Sequence, residues 1–309
     1  MSATVYAHIT LCFLFTTQKE FSMYDLNAIN TSTLPIVALT EELQEHVICK
    51  TVNHFHTDIE IIHILTGSMT YYINGEAIHV KSDDILFINS SQLHNAMLTT
   101  SPYCQFNFVL ISPSIITDNT WLSKKYMEPF LNTSQYHYQH VSASDLYHQE
   151  LQYAIDTMVA CKQSAAPGSD LDLLGQAYML MKYIYLLYEK HLPSTSTMDK
   201  DLPLQNLMLQ YIYQQYRQKL TLHDIAAAGN VSPSSCCKIF KKYVHQSPMV
   251  YVNQYRLQMA CHLLITTDYP ITDIAYQCGF NQPSYFNKLF FKTYHCTPTH
   301  YRQRANYVY

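Results

Sequence analysis

Four residues carry most of the chemistry in the N-terminal half of this chain: His54, His56, Glu60 and His94. Along an extended chain the intervals of two and four put His54, His56 and Glu60 on one strand face. His94 comes from a later strand or loop that pairs beside them. Three imidazole nitrogens and one carboxylate are a ligand set for Zn, Fe, Mn or Ni. The same four suit a polar pocket that orients a small-molecule effector. Tyr72, a face-mate on the next strand, could stack on a sugar or could simply be core. Three imidazoles and a carboxylate are costly to bury alone, so they must meet a ligand, an ion or one another. We read the four, with Tyr72, as an effector pocket without a resident cofactor. A divalent metal at His54, His56, Glu60 and His94 is the alternative.

Strands must position this set. From Ile48 to Ile111 apolar residues alternate at period two. Ile59–Leu65, Met69–Ile73, Ile78–Val80, Ile85–Ile88 and Phe106–Ile111 read as strands, and Asn74-Gly75 as a tight hairpin turn. Many short strands with tight turns imply an antiparallel barrel or jelly roll. Asp145–Cys161 and Leu171–His191 then read as helices. In the second, Leu171, Leu174, Tyr178, Met181 and Tyr185 form a stripe that either joins a second copy or covers the barrel. The Pro/Ser/Thr-rich run from Leu192 to Leu202 reads as a linker. A helix carrying Leu204, Leu207, Met208, Tyr211 and Ile212 on one face follows it.

Beyond the linker one pattern is written twice. Ile225-Ala226 through Lys242 matches Ile274-Ala275 through Lys292, with Ser247-Pro248 and Tyr251 answering Thr297-Pro298 and Tyr301. The offset is 49 residues up to the central turn and 50 after it, an insertion at Gln282. Each copy reads as a helix with Ile-Ala on its buried face, a tight turn, and a second helix with an apolar ridge and lysines on its open face. That is a helix-turn-helix, whose second helix enters the DNA major groove. Gly279, and Asn230 in the first copy, supply a turn residue tolerant of positive φ. Pro233 and Pro283 fit the first helical turn. The open positions are Ser234, Ser235, Cys237, Lys238 and Lys241 on the first recognition helix, and Ser284, Asn287, Lys288 and Lys292 on the second. Asn287 can pair with adenine and Lys288 with guanine. Lys241, Lys242 and Lys292 read as phosphate contacts.

The C-terminal segment resembles the DNA-binding domain of the AraC/XylS family of transcription regulators. The resemblance rests on Ile274-Ala275-Tyr276-Gln277-Cys278-Gly279-Phe280, Tyr285-Phe286, Phe290, Thr297-Pro298 and Tyr301-Arg302. It implies base contacts at Ser234, Cys237, Lys238, Pro283, Ser284, Asn287 and Lys288. The first recognition helix departs from the family pattern in its small side chains, Cys237 above all. In the N-terminal half, His54-x-His56-x-x-x-Glu60, Gly67 and His94 resemble the cupin motif, which implies a cupin-like sensor barrel. The resemblance implies promoter DNA and a small-molecule effector as partners, a homodimer, and RNA polymerase if the protein is an activator.

Charge is divided along the chain. The net charge of -4 hides ten Lys and Arg against three acids from Pro203 onward, a local +7, which leaves -11 for the rest. The basic third can neutralise phosphates and the acidic part repels them. The nine Cys show no C-x-x-C pair, and we read them as reduced residues of a cytoplasmic protein. No apolar run is long enough to span a membrane, so no membrane partner is expected. The first 22 residues read either as an N-terminal arm or as an over-extended gene start, with Met23 the true initiator.

The expected architecture is α+β and two-domain. Residues 23–192 form an antiparallel cupin-like barrel with following helices. Residues 193–202 form the linker, and residues 203–309 an all-α domain with two helix-turn-helix units. The expected function is ligand-responsive, sequence-specific transcription regulation, sensing a small metabolite such as a sugar, and no enzyme activity. One rival is a metal-dependent cupin enzyme fused to a DNA-binding domain, although no separate acid/base pair accompanies the four candidate ligands. Another is a regulator without a ligand, controlled by abundance or by a protein partner.

Overall fold

The computed structural model describes residues 34–44, 53–99, 101–117, 119–131, 136–164, 166–190 and 200–306. The expectations for the first 22 residues and for most of the linker fall outside them. The described residues divide into two compact units: one holds those of 34–44 and 54–190, and the other holds Asn53 and 200–306.

The first unit is an antiparallel sheet followed by helices. Its strands are β1 (Ile36–Gln44), β2 (Ile59–Ile73), β3 (Glu76–Lys81), β4 (Ile85–Ile88), β5 (His94–Met97), β6 (Tyr103–Ile111) and β7 (Tyr138–Val141). The strand order is β1-β6-β2-β4-β7, with β3 and β5 also pairing β2. Every strand pair is antiparallel. The α+β layout is therefore as expected, but among the described residues the strands do not close into a ring. The reason lies in β2. The two short strands read at Ile59–Leu65 and Met69–Ile73 are one strand of 15 residues. Its first half pairs β4 and β6, and its second half pairs β3 and β5. A bulge between Ile64 and Thr66 marks the change, and bulges bend a strand and increase its twist. Gly67 follows at φ 82°, and a Cβ there would lie 2.1 Å from the carbonyl oxygen of Tyr103. Only glycine permits this crossing.

The hairpin turn between β2 and β3 has Asn74 at φ 50° and Gly75 at φ 86°, the two positive values that a two-residue hairpin of this sequence requires. After β6 come the short helices α1 (Ser114–Thr117), α2 (Thr120–Leu122) and α3 (Glu128–Leu131), with a π-helical turn at Ser123–Met127. Then come α4 (His148–Ser164) and α5 (Ser169–Lys190). Both bury apolar residues against one sheet face, in a core that includes Ile59, Ile61, Phe87 and Val109. The buried ridge of α5 is Leu173, Ala177, Leu180, Met181, Ile184 and Leu187. This corrects the expected stripe: of its five residues only Met181 is on the ridge, and Leu171 is 75% exposed. The sheet core claims a neighbouring face of the helix.

The second unit is all-helical: α6 (Asp201–Gln215), α7 (Leu222–Ala228), α8 (Pro233–Val244), α9 (Pro248–Thr266), α10 (Ile271–Gln277), α11 (Pro283–Tyr294) and α12 (Pro298–Asn306). α7–α8 and α10–α11 are the two helix-turn-helix units, joined by α9. Thr221 and Asp224 form a reciprocal capping box at the start of α7. Ser232 caps α8, with Pro233 in its first turn. Pro283 occupies the same place in α11. Asn230 turns at φ 52° and Gly279 at φ 84°, the left-handed residues the sequence places there. His245 and His295 end α8 and α11 at φ 58° and 56°. The elements of the two copies thus correspond at an offset of 49 before the turn and 50 after it. Among the described residues no helix is long and apolar enough to cross a membrane.

A buried histidine–glutamate cluster and two recognition helices

His54, His56, Glu60 and His94 come together in the first unit, and all four are buried. One ligand atom from each can be chosen so that all lie within 4.8 Å of one another. The local structure differs from a single strand face. His54 makes an isolated bridge to His94, with N–H donated each way at 2.9 and 2.8 Å. The chain then bends at Thr57-Asp58 before β2 begins at Ile59. The His54 and His94 rings are 4.5 Å apart, and those of His56 and His94 5.0 Å apart. Nε2 of His56 lies 3.3 Å and Nε2 of His94 3.0 Å from the same oxygen, Glu60 Oε2. Nδ1 of His56 is 3.0 Å from the Asp58 carbonyl, and Nδ1 of His94 is 2.8 Å from the Gln92 carbonyl.

Burial alone would raise the Glu60 carboxyl, but the charge of His94 and the hydrogen bonds of His56 and His94 outweigh it and hold it well below the carboxylate range. Burial pulls His56 down, yet the hydrogen bond and charge of Glu60, with Asp58, carry it above its ordinary value. A fifth residue belongs here. The Tyr71 hydroxyl donates to Glu60 Oε1 at 3.2 Å. Burial and the Glu60 charge hold that hydroxyl protonated well past its usual range. Tyr72, expected in the pocket, sits on the opposite strand face. Even spacing from Glu60 would favour Tyr72, but the bulge at Ile64/Thr66 reverses the parity of the strand and turns Tyr71 inward. Sequence reading missed Tyr71 because nothing in the local pattern announces that bulge. It also missed a second grouping, His63, Asp83 and His148, which ties β2 to the start of α4.

In the second unit each recognition helix buries one face and opens the other. α8 buries Cys236, Ile239, Phe240, Tyr243 and Val244, and α11 buries Phe286, Phe290 and Tyr294. Ser234, Lys238, Lys241, Ser284, Asn287, Lys288 and Lys292 are exposed, and Ser235 and Cys237 are half-buried. Ser235 is partly engaged, since its N–H donates to Ser232 Oγ at 3.2 Å. Lys242, read with the phosphate contacts, is also exposed, with its Nζ 3.2 Å from Asp201 Oδ2 on α6. Arg256 faces inward. It is buried, donating from Nε to the Tyr216 carbonyl at 2.8 Å and from a terminal nitrogen to the Gln218 carbonyl at 2.7 Å. Arg302 donates to the carbonyls of Leu264 and Tyr269. Burial pushes the Cys236 thiol up to about 11, which leaves it unreactive.

Two domain families match this chain. An AraC-like ligand binding domain covers residues 45–181, and a helix-turn-helix domain covers residues 225–304. The chain belongs to the AraC/XylS family of transcription regulators. An uncharacterised HTH-type transcriptional regulator of Bacillus subtilis, YdeC, is 28% identical over 91% of this chain and 96% of its own length. The HTH-type transcriptional activator RhaS of Klebsiella pneumoniae is 24% identical over 81% of this chain and 87% of its own. Among solved structures, fatty-acid-bound ToxT of Vibrio cholerae aligns with a TM-score of 0.52 at 13% identity, covering 86% of this chain and 94% of that one. That last likeness shows the fold. As an AraC/XylS member the protein is a ligand-responsive, DNA-binding transcription regulator.

Proposed function

We propose that this AraC/XylS regulator acts in the cytoplasm as a homodimeric activator, without enzymatic activity, and recruits RNA polymerase when a small metabolite, such as a sugar, fills the pocket of the first unit. Residues 23–192 sense, 193–202 link, and 203–309 read DNA. His54, His56, Glu60 and His94, joined by Tyr71, form the effector site. Lys238, Lys241 and Lys292 hold phosphates. Asn287 and Lys288 read bases, with Ser234, Ser235, Cys237 and Ser284 beside them. The flank of α4 and α5 that exposes Leu171, Tyr153 and Met179 is the dimer face.

One observation carries this reading most: α8 and α11 bury their apolar ridges and leave the polar and basic rows open. A surface of hydroxyls, lysines and one amide, Asn287, with no acid on either recognition helix suits a polyanion. The test selects DNA from a random duplex library with the purified full chain. A recurrent bipartite motif supports the reading. Binding with no sequence preference, or none at all, contradicts it.

A further inference from the structure

We propose that His63, Asp83 and His148 bind one zinc ion where β2, the turn from β3 to β4 and the start of α4 meet. This site is separate from the histidine–glutamate cluster and does not depend on where the effector binds. His63 stands three residues after Glu60 on β2, before the bulge, so it points to the opposite face. That face carries Ile59 and Ile61, packed with α4 and α5.

The argument starts from the protons of His63. Its Nε2 lies 3.5 Å from Asp83 Oδ1, and its Nδ1 lies 3.6 Å from Asp156 Oδ1. The side chain is 3% exposed, and Nδ1 makes no hydrogen bond. A neutral imidazole has one proton for its two nitrogens. Whichever nitrogen holds it, the other aims a lone pair at a carboxylate oxygen. A second proton would make an imidazolium that draws both carboxylates to about 2.7–2.9 Å, and neither stands so near.

A metal ion at Nε2 answers the conflict. The proton then sits on Nδ1 and points at Asp156, while the Nε2 lone pair and Asp83 Oδ1 both face the ion. His148 supplies the third ligand. Its Nε2 is 3.8 Å from the same Asp83 oxygen, and one ligand atom from each of the three residues lies within 4.8 Å of the others. With bonds of about 2.0–2.2 Å, ligand atoms around a tetrahedral ion stand about 3.3–3.6 Å apart, so only His148 has to close in. In the metal-free chain His148 Nε2 donates to the Asp83 carbonyl at 2.6 Å; the ion takes the place of that proton.

The surroundings suit a metal. Asp156 would hold the far nitrogen of a ligating histidine, the usual carboxylate–histidine–metal relay. Asp156 is itself aimed: its Oδ1 accepts from Asn107 Nδ2 at 2.7 Å, and Asn107 Oδ1 accepts from Thr40 Oγ1 at 2.7 Å. The Asp83 side chain is 53% exposed, which gives the ion an entry path and leaves a fourth position to water. Two imidazoles and a carboxylate without thiolate suit zinc.

The test uses the full chain, purified without a metal-affinity tag and stripped with a chelator. Zinc is titrated in competition with a chromophoric chelator, with metal content and thermal midpoint as further readouts. Wild type should take up zinc and melt at a higher temperature with it. Asp83→Asn and His148→Gln should each bind one equivalent less than wild type. Asp156→Asn should weaken that equivalent about 10- to 100-fold. His79→Ala, exposed on β3, should match wild type. Asp83 and Asp156 are both about half exposed, so their variants keep the test open if His148→Gln fails to fold. Wild type that takes up no zinc overturns the proposal. So does zinc uptake that Asp83→Asn and Asp156→Asn leave unchanged, which would place the ion elsewhere, the histidine–glutamate cluster included.

Discussion

The hydroxyl of Tyr71 donates to Glu60 Oε1 at 3.2 Å, although both residues belong to one strand and stand 11 residues apart. An odd interval puts two residues on opposite faces of a regular strand. The bulge between Ile64 and Thr66 supplies the missing step. The strand that builds the sheet core with its first half therefore builds the ceiling of the histidine cluster with its second.

Tyr71→Phe removes one of the few partners of a fully buried carboxylate. It should destabilise the first unit by about 1–3 kcal/mol, read as a lower midpoint in urea unfolding followed by tyrosine fluorescence and circular dichroism. Tyr72→Phe, on the other face, should stay within about 0.5 kcal/mol of wild type. Equal effects would show that the two faces are wrongly assigned.

Lysines of the second unit should separate into three kinds. Lys288→Ala should relax base preference at one position of the site at a cost of about 1–3 kcal/mol. Lys292→Ala should weaken all sequences alike and lower the salt slope by about one unit. Lys242→Ala should change binding least, because its ammonium is paired with Asp201. Fluorescence anisotropy on matched and mismatched duplexes at several salt concentrations resolves all three.

Gly279 is held by two constraints at once. Its φ is 84°, and a Cβ would stand 2.3 Å from the Tyr216 carbonyl oxygen, the same oxygen that accepts from Arg256. Gly279→Ala should therefore cost more than about 1 kcal/mol and lose recognition by α11. Asn230→Gly should be tolerated, since glycine takes the φ of 52° more readily than asparagine. Thermal melts and footprints of the two variants test the contrast.

The cap of α7 gives a pH signature. Thr221 accepts from the Asp224 N–H, and Asp224 accepts from the Thr221 N–H and hydroxyl. The Thr221 hydrogen bonds hold the Asp224 carboxyl below its usual value. A carboxyl lowered by folding adds stability above its unfolded value, about 3.9 for Asp, and loses it as the pH falls through the folded value. The gap between wild type and Asp224→Asn should be open at neutral pH and close as the pH drops below about 4. Thr221→Ala should cost about 1 kcal/mol. A gap that does not change with pH would contradict the charged cap.

The helix-turn-helix pair was legible because its signals are local. Asn230, Gly279, Pro233 and Pro283 each prescribe their own backbone, and a repeat states them twice. The four members of the histidine cluster were legible by residue type, but their placement was not. His54 reaches the site through a bridge to His94 and His56 through a bend, and neither leaves a mark on the alternation of apolar residues. Tyr71 was hidden by one bulge. The buried ridge of α5 was not singled out because apolar residues recur around much of the helix, so spacing alone could not choose between a stripe through Leu171 and Leu174 and one through Leu173 and Ala177. Strands β1, β5 and β7 were missed because their pairing partners are distant in sequence or their runs are short.

Hydroxyl-radical footprinting of the full chain on a duplex it has selected tests the central claim most directly. Two different recognition helices on one protomer, joined by α9, should protect two successive major-groove faces about 10 bp apart, without a palindrome inside the protomer's site. A single short protected half-site per protomer would contradict it.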